Sequence, residues 1–162
     1  MANEPPLITN PAREMLKRGE PLFGFNVFES LRPSVVKIVM QAGYNMLLVE
    51  NEHVVHNDET LTNFLVMARD NGLSPAVTVL VPDRPFVSRM LDAGALGICL
   101  SHTEEPEQVA ELARWMKYAP AGERGLAMGA NVDYAPVDAA RYCREANEAT
   151  MLILKIESWR GV

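Results

Sequence analysis

A parallel α/β fold built from repeated strand–helix units is the architecture this sequence predicts, and three observations carry the prediction. Short apolar runs alternate with amphipathic segments along the whole chain. The runs are close to continuously apolar, as strands covered on both faces are. Their centres recur at intervals of roughly 20 to 30 residues, enough for one strand and one returning helix, so the crossovers are right-handed and the sheet parallel.

In order, an N-terminal helical segment at about residues 8–19 precedes the first run, LFGFNVF at 22–28. Pro33 opens a helix that Gly43 ends, and NMLLVE at 45–50 is the second strand. Asn57 or Asp58 caps a helix whose Leu61, Phe64, Leu65 and Ala68 share one face before Gly72 stops it. PAVTVLV at 75–81 is the third strand, followed by a helix from Pro85 through Phe86, Val87, Met90 and Leu91 to Gly94. LGICLS at 96–101 is the fourth. Thr103 then precedes EEPEQVAELARWM, in which Val109, Leu112, Ala113 and Met116 repeat at helical spacing and the acidic residues favour the N-terminal end. GLAMG at 125–129 and MLILKIE at 151–157 complete six predicted strands, with Cys143 in a helical pattern between them.

Two architectures accommodate this alternation, an open doubly wound sheet and a (β/α)8 barrel. No G-x-G-x-x-G or G-x-x-x-x-G-K-[ST] follows any strand, which removes the common nucleotide-binding signals of the open sheet and favours the barrel. A full barrel takes about 250 residues. About six units in 162 residues fall short of that, so the chain is a fragment of a barrel, a barrel completed by another chain, or an open sheet, and the expectation taken is a single partial barrel domain over 1–162 holding about the first six units.

The 162 residues are 48% hydrophobic and 22% charged, which suits a globular chain and not a disordered one. A formal charge of −6 with no basic block argues against nucleic acid or an anionic membrane as partner. Cys99 and Cys143 have neither zinc-motif nor disulfide-framework spacing, and no signal-like or membrane-spanning apolar stretch is present, so a cytoplasmic location is expected.

Chemistry concentrates where the second strand ends. LLVENEHVVHND places Glu50, Glu52 and His53 within four positions, at the C-terminal edge where parallel α/β folds gather functional groups. An imidazole there suits general base catalysis near neutral pH, because its unperturbed pKa is about 6.5 and a neighbouring carboxylate fixes its tautomer. A loop histidine bonded to a backbone carbonyl is the plainer alternative. HVVH also admits a metal pair, although loop-like surroundings favour His56 as a surface residue. Glu157 closes an apolar run, where a carboxylate is costly to bury unless a cation or donor meets it. Arg124, between Gly122 and Gly125, is suited either to holding a substrate carboxylate in a forked contact or to a surface pair with an acidic neighbour. Cys99, Met90 and Trp115 read as packing.

The marks AGYNMLLVENEH, RMLDAGALGICL, TEEPEQV, KYAPAGERG and LKIES, in this order and spacing, resemble the HpcH/HpaI aldolase family of class II pyruvate aldolases. The resemblance implies a (β/α)8 barrel of the phosphoenolpyruvate/pyruvate type and cleavage of a 4-hydroxy-2-oxo acid to pyruvate and an aldehyde. It gives His53 the acid/base role, pairs Asp92 with it, and makes Glu157 one of two carboxylates for Mg²⁺, Mn²⁺ or Co²⁺, the ion polarising the oxo acid and stabilising its enolate. Glu50 and Glu52 become supporting residues, and a homo-oligomer, a hexamer in the family, is expected. Lys155 is suitably placed for a Schiff base, but the family pattern and adjacent Glu157 oppose that use.

Three departures from the family pattern stand out. Thr78 occupies the position of a substrate-binding arginine, with Arg84 nearby as a substitute, and a neutral hydroxyl cannot supply the lost charge. Glu50 replaces an aspartate. The second metal carboxylate and the pyruvate-gripping loop of the family belong to a seventh strand, expected beyond Val162. These departures leave two alternatives to the aldolase: a catalytically impaired barrel that binds small oxo acids, and an acyl-CoA lyase of the citrate lyase branch.

Overall fold

The computed structural model describes residues 4–162. Five strands, β1 (Gly24–Val27), β2 (Met46–Val49), β3 (Ser74–Val79), β4 (Gly97–Leu100) and β5 (Met151–Leu154), alternate with helices α1 (Pro11–Lys17), α2 (Pro33–Gln41), α3 (Asp58–Asp70), α4 (Arg84–Asp92), α5 (Pro106–Met116) and α6 (Ala139–Ala149). All pairings are parallel and the spatial order is β1-β2-β3-β4-β5. Each strand thus lies beside its sequence neighbour. A doubly wound sheet reverses its order at a switch point, so this order is that of a barrel wall.

The helices begin and end where the chain's local chemistry directs. Asn57 caps α3 by accepting from the backbone N–H groups of Glu59 and Thr60, and Asp83 caps α4 by accepting from Phe86 N–H. Pro33, Pro106 and Pro11 occupy first-turn positions of their helices, where a missing N–H costs nothing.

Alternation along the strands divides the core in two. Leu47, Val49, Val77, Val79, Ile98 and Leu100 face the helices and pack with Val36, Val39, Leu61, Phe64, Leu65, Val87, Met90 and Leu112. The opposite parity, Met46, Leu48, Ala76, Met151 and Ile153, lies on the interior of the wall against Ala12 of α1. Helix α1 is anchored there by Asn10, whose amide donates to the carbonyls of Leu96 (3.1 Å) and Ala149 (2.8 Å), and by Ala12 N–H, which donates to Ser74 Oγ. These partners lie at strand starts, so α1 covers the N-terminal end of the wall. The other end is left for chemistry.

One predicted strand is absent. Residues 125–129 run as coil into a 3-10 turn at Ala130–Val132, because β4 pairs directly with β5, from Gly97 opposite Met151 to Leu100 opposite Leu154, and leaves no slot. Leu126 and Met128 are exposed, so this apolar run has no sheet face to fill. Among the described residues, no helix is long and apolar enough to cross a membrane.

Candidate active site

The interior parity that packs α1 at one end of the wall continues through Thr78 near the end of β3 and, past the ends of the other strands, as Glu50, Ser101, Lys155 and Glu157. These side chains share the C-terminal edge of the sheet. Glu50, only 2% exposed, organises the turn after β2: its Oε1 accepts from the backbone N–H of Glu52 (2.7 Å), that of His53 (3.3 Å) and the hydroxyl of Thr78 (3.1 Å). The buried carboxylate is met by three donors, which offset the cost of its desolvation.

Glu52 is turned inward by this arrangement. Its carboxylate lies 3.6 Å from His53 Nε2 through Oε1 and 3.4 Å from Lys155 Nζ through Oε2. The Ser101 hydroxyl, opposed by burial and helped by the Lys155 ammonium and His53, holds the Glu52 carboxyl below the usual carboxylate range. A depressed carboxylate contributes stability that is complete at neutral pH and is lost as pH falls through its depressed pKa. Lys155 Nζ also lies 3.2 Å from Ser101 Oγ and 3.7 Å from Glu157 Oε1. Glu157 Oε2 accepts the backbone N–H of His102 at 2.9 Å. His102 takes a left-handed φ of 47°, a conformation a non-glycine residue adopts only where its surroundings hold it, as functional edges often do.

His53, Glu52, Lys155 and Glu157 therefore form one chain of contacts from β2 to β5, with the His53 ring 69% exposed at the mouth. Burial pulls the Lys155 ammonium down, but Glu157 and Glu52 overcome this and hold it above its ordinary value. A lysine kept charged is a poor Schiff-base nucleophile. Burial pushes the Cys99 thiol up to about 11, consistent with packing rather than reactivity.

The other expected site residues lie elsewhere or are spoken for. Asp92 ends α4, only a few residues before β4 begins, whereas His53 follows the end of β2; in a parallel sheet these are opposite edges. Asp92 instead accepts from Arg124 Nη2 at 2.7 Å. Arg124, expected to bind substrate, has its guanidinium buried over the Tyr118 ring, 4.5 Å from the centroid, and is thereby removed from the strand-end mouth. The pairing with an acidic neighbour holds, but in the interior, not on the surface. Arg84 does not substitute for the arginine: its Nη2 donates to the Glu123 carbonyl at 2.6 Å. His56 is half-buried, and its Nε2 donates to the Glu50 carbonyl at 2.8 Å, which ties that nitrogen to the backbone and not to a metal pair with His53.

Thr78, expected to touch substrate, is fully buried, and its hydroxyl accepts from Asn51 N–H at 2.7 Å while donating to Glu50. Its observed work is to brace the turn that carries His53. Thr78→Val keeps the shape and removes both bonds, so an unfolding free energy lower by about 1–3 kcal/mol is expected from urea denaturation at unchanged m-value. Ser101 and the charge role of Lys155 were not read from the sequence. The signal available was parity: both continue the interior-facing alternation of their strands.

The HpcH/HpaI aldolase/citrate lyase family profile matches residues 27–162. A hydroxypyruvate/pyruvate aldolase of Delftia acidovorans is 33% identical over 156 residues, covering 96% of this chain and 58% of the relative. A 2-keto-3-deoxy-L-rhamnonate aldolase of Escherichia coli O157:H7 is 27% identical, over 94% of this chain and 57% of the relative. Among solved structures, an HpcH/HpaI aldolase from Desulfitobacterium hafniense DCB-2 superposes with a TM-score of 0.88 at 28% identity, covering 91% of this chain and 57% of that one. The chain spans under two thirds of the length of these relatives, so its five strands are part of a barrel.

Proposed function

Because this chain belongs to the HpcH/HpaI aldolase/citrate lyase family, we propose that it is a carbon–carbon lyase that cleaves a 4-hydroxy-2-oxo acid to pyruvate and an aldehyde, and runs the reverse condensation. The observation that carries this reading is the convergence of His53, Glu52, Lys155 and Glu157 at the C-terminal edge of a barrel wall. The relatives named above as aldolases favour aldol cleavage over acyl-CoA chemistry.

His53 is the group placed to move a proton. Its exposed ring stands at the mouth, and Glu52, whose side chain is 4% exposed, sits 3.6 Å behind it as a fixed carboxylate that orients the ring. In the cleavage direction His53 takes the proton of the substrate's 4-hydroxyl as the C3–C4 bond breaks; the electron pair of that bond passes to the pyruvyl fragment, which is then protonated at C3. Glu50 and Thr78 hold the turn, and hence the ring, in place.

A divalent ion fits the donor chemistry. Two carboxylates, Glu52 and Glu157, face one ammonium, a formal surplus of one negative charge. Among the described residues, no group of three or more His, Cys, Asp and Glu side chains converges to cage an ion, so Glu157 is the carboxylate this chain would offer. A bound Mg²⁺, Mn²⁺ or Co²⁺ supplies Lewis-acid charge toward the oxo acid. The substrate class is that of small oxo acids.

The test is pyruvate release from a panel of 4-hydroxy-2-oxo acids, followed by coupled reduction to lactate, with and without a chelator. Turnover that the chelator abolishes supports the reading. Binding of oxo acids with no turnover on any of the panel would instead make the protein an impaired, binding-only barrel.

A further inference from the structure

Glu157 is engaged on both oxygens: Oε2 by the His102 N–H at 2.9 Å, and Oε1 by the facing Lys155 ammonium at 3.7 Å. The same ammonium reaches Glu52 Oε2 at 3.4 Å and Ser101 Oγ at 3.2 Å, so it stands between the two carboxylates nearest the mouth. Lys155 lies two residues from Glu157 on the segment that leaves β5. The two side chains therefore leave the same face of one short segment, which keeps the ammonium within reach of that carboxylate. A cation approaching Glu157 meets a positive charge already in position, 3.7 Å from the carboxylate.

We propose that Lys155 is the resident counter-ion of this acid cluster and sets the site's affinity for divalent cations by competing with them for Glu157. The inference rests on the assignment of Glu157 to the ion. Its consequence is a site that binds divalent ions weakly and selects against low concentrations of them. The lysine stem is flexible and its side chain is 30% exposed, so the ammonium can withdraw toward Glu52 and Ser101 as an ion enters. Glu52 thus serves as the partner that retains the displaced charge.

Calorimetric titration with Mn²⁺ alone tests this on four proteins: the unmutated chain, Lys155→Gln, Lys155→Arg and Glu157→Gln. Lys155→Gln removes the charge at similar length and is expected to tighten Mn²⁺ binding roughly tenfold or more, whereas Lys155→Arg keeps the charge and stays within about threefold of the parent. Glu157→Gln is expected to weaken binding. If Glu157→Gln leaves the affinity unchanged, the ion is not at Glu157 and the proposal falls with that premise. If Glu157→Gln weakens binding but Lys155→Gln does not tighten it, the competition is refuted while the Glu157 assignment stands.

Should Lys155→Gln fail to fold, the unmutated protein answers the question. It contains four lysines, so after reductive ¹³C-dimethylation, which keeps the charge, the Lys155 signal is assigned by its loss in Lys155→Arg. Mg²⁺ titration moves that signal in step with the binding heat if the ammonium is displaced. A signal that stays fixed through saturation overturns the proposal.

Discussion

His53→Ala is expected to lower kcat for pyruvate release by about 10²–10⁴-fold with KM changed less than about threefold, the signature of a group that acts as the proton moves. The physical basis is position. Among the described residues, His53 is held by the 3.3 Å bond from its backbone N–H to Glu50 and by the approach of Nε2 to Glu52 at 3.6 Å. Nothing in the core depends on it, since the side chain is 69% exposed, so alanine leaves the fold intact and a lost rate reports chemistry. Glu52→Gln is expected to lower kcat less, because the ring remains while the charge behind it goes. A His53→Ala protein that retains kcat within about threefold of the parent would remove His53 from the reaction.

Asp92→Ala is expected to cost about 3 kcal/mol of stability, because it orphans a buried charge. The Arg124 side chain is 1% exposed, its guanidinium stacks on Tyr118 at 4.5 Å, and its Nε has no hydrogen-bond partner among the described residues, so Asp92 is the acid that balances it. Asp92 itself is 28% exposed, which places the expected cost at the lower end of the range for fully buried pairs. The asymmetry is the sharper test. Arg124→Met removes the charge and keeps much of the volume, so it should cost less than Asp92→Ala, and adding Arg124→Met to Asp92→Ala should restore part of the loss. Urea denaturation of the three variants measures all of this. A double mutant no more stable than Asp92→Ala would show that the ion pair is not what the aspartate contributes.

Much of the architecture was legible because it follows from periodicity. The runs that became β1 to β4 and the last strand were near-continuous apolar stretches, and α3 was marked by Asn57 at one end and Gly72 at the other. The segment at 125–129 misled because composition alone does not show whether a sheet has room for another strand; the direct pairing of β4 with β5 decides that, and it is a long-range fact. At the site, the strand-end position of Glu50, Glu52, His53 and Glu157 was legible from the rule that parallel α/β folds gather function at one edge. Asp92 and Arg124 were not, because motif order says nothing about which edge a helix end reaches. Their mutual pair joins α4 to a loop 32 residues away and leaves no trace in local sequence. Thr78 was legible as a position but not as a role, since a buried hydroxyl's partners, here Asn51 and Glu50, are set by register between β2 and β3.

His53 and Glu157 face one mouth, and the proposed chemistry requires it. The chain has three histidines, and Mn²⁺ relaxes protons close to it, so the ring-proton signals of His53, His56 and His102 during a substoichiometric Mn²⁺ titration test this directly. The His53 ring signal is expected to broaden early in the titration, and Glu157→Gln to abolish the effect. A His53 signal that stays sharp while Mn²⁺ saturates a Glu157-dependent site would contradict it.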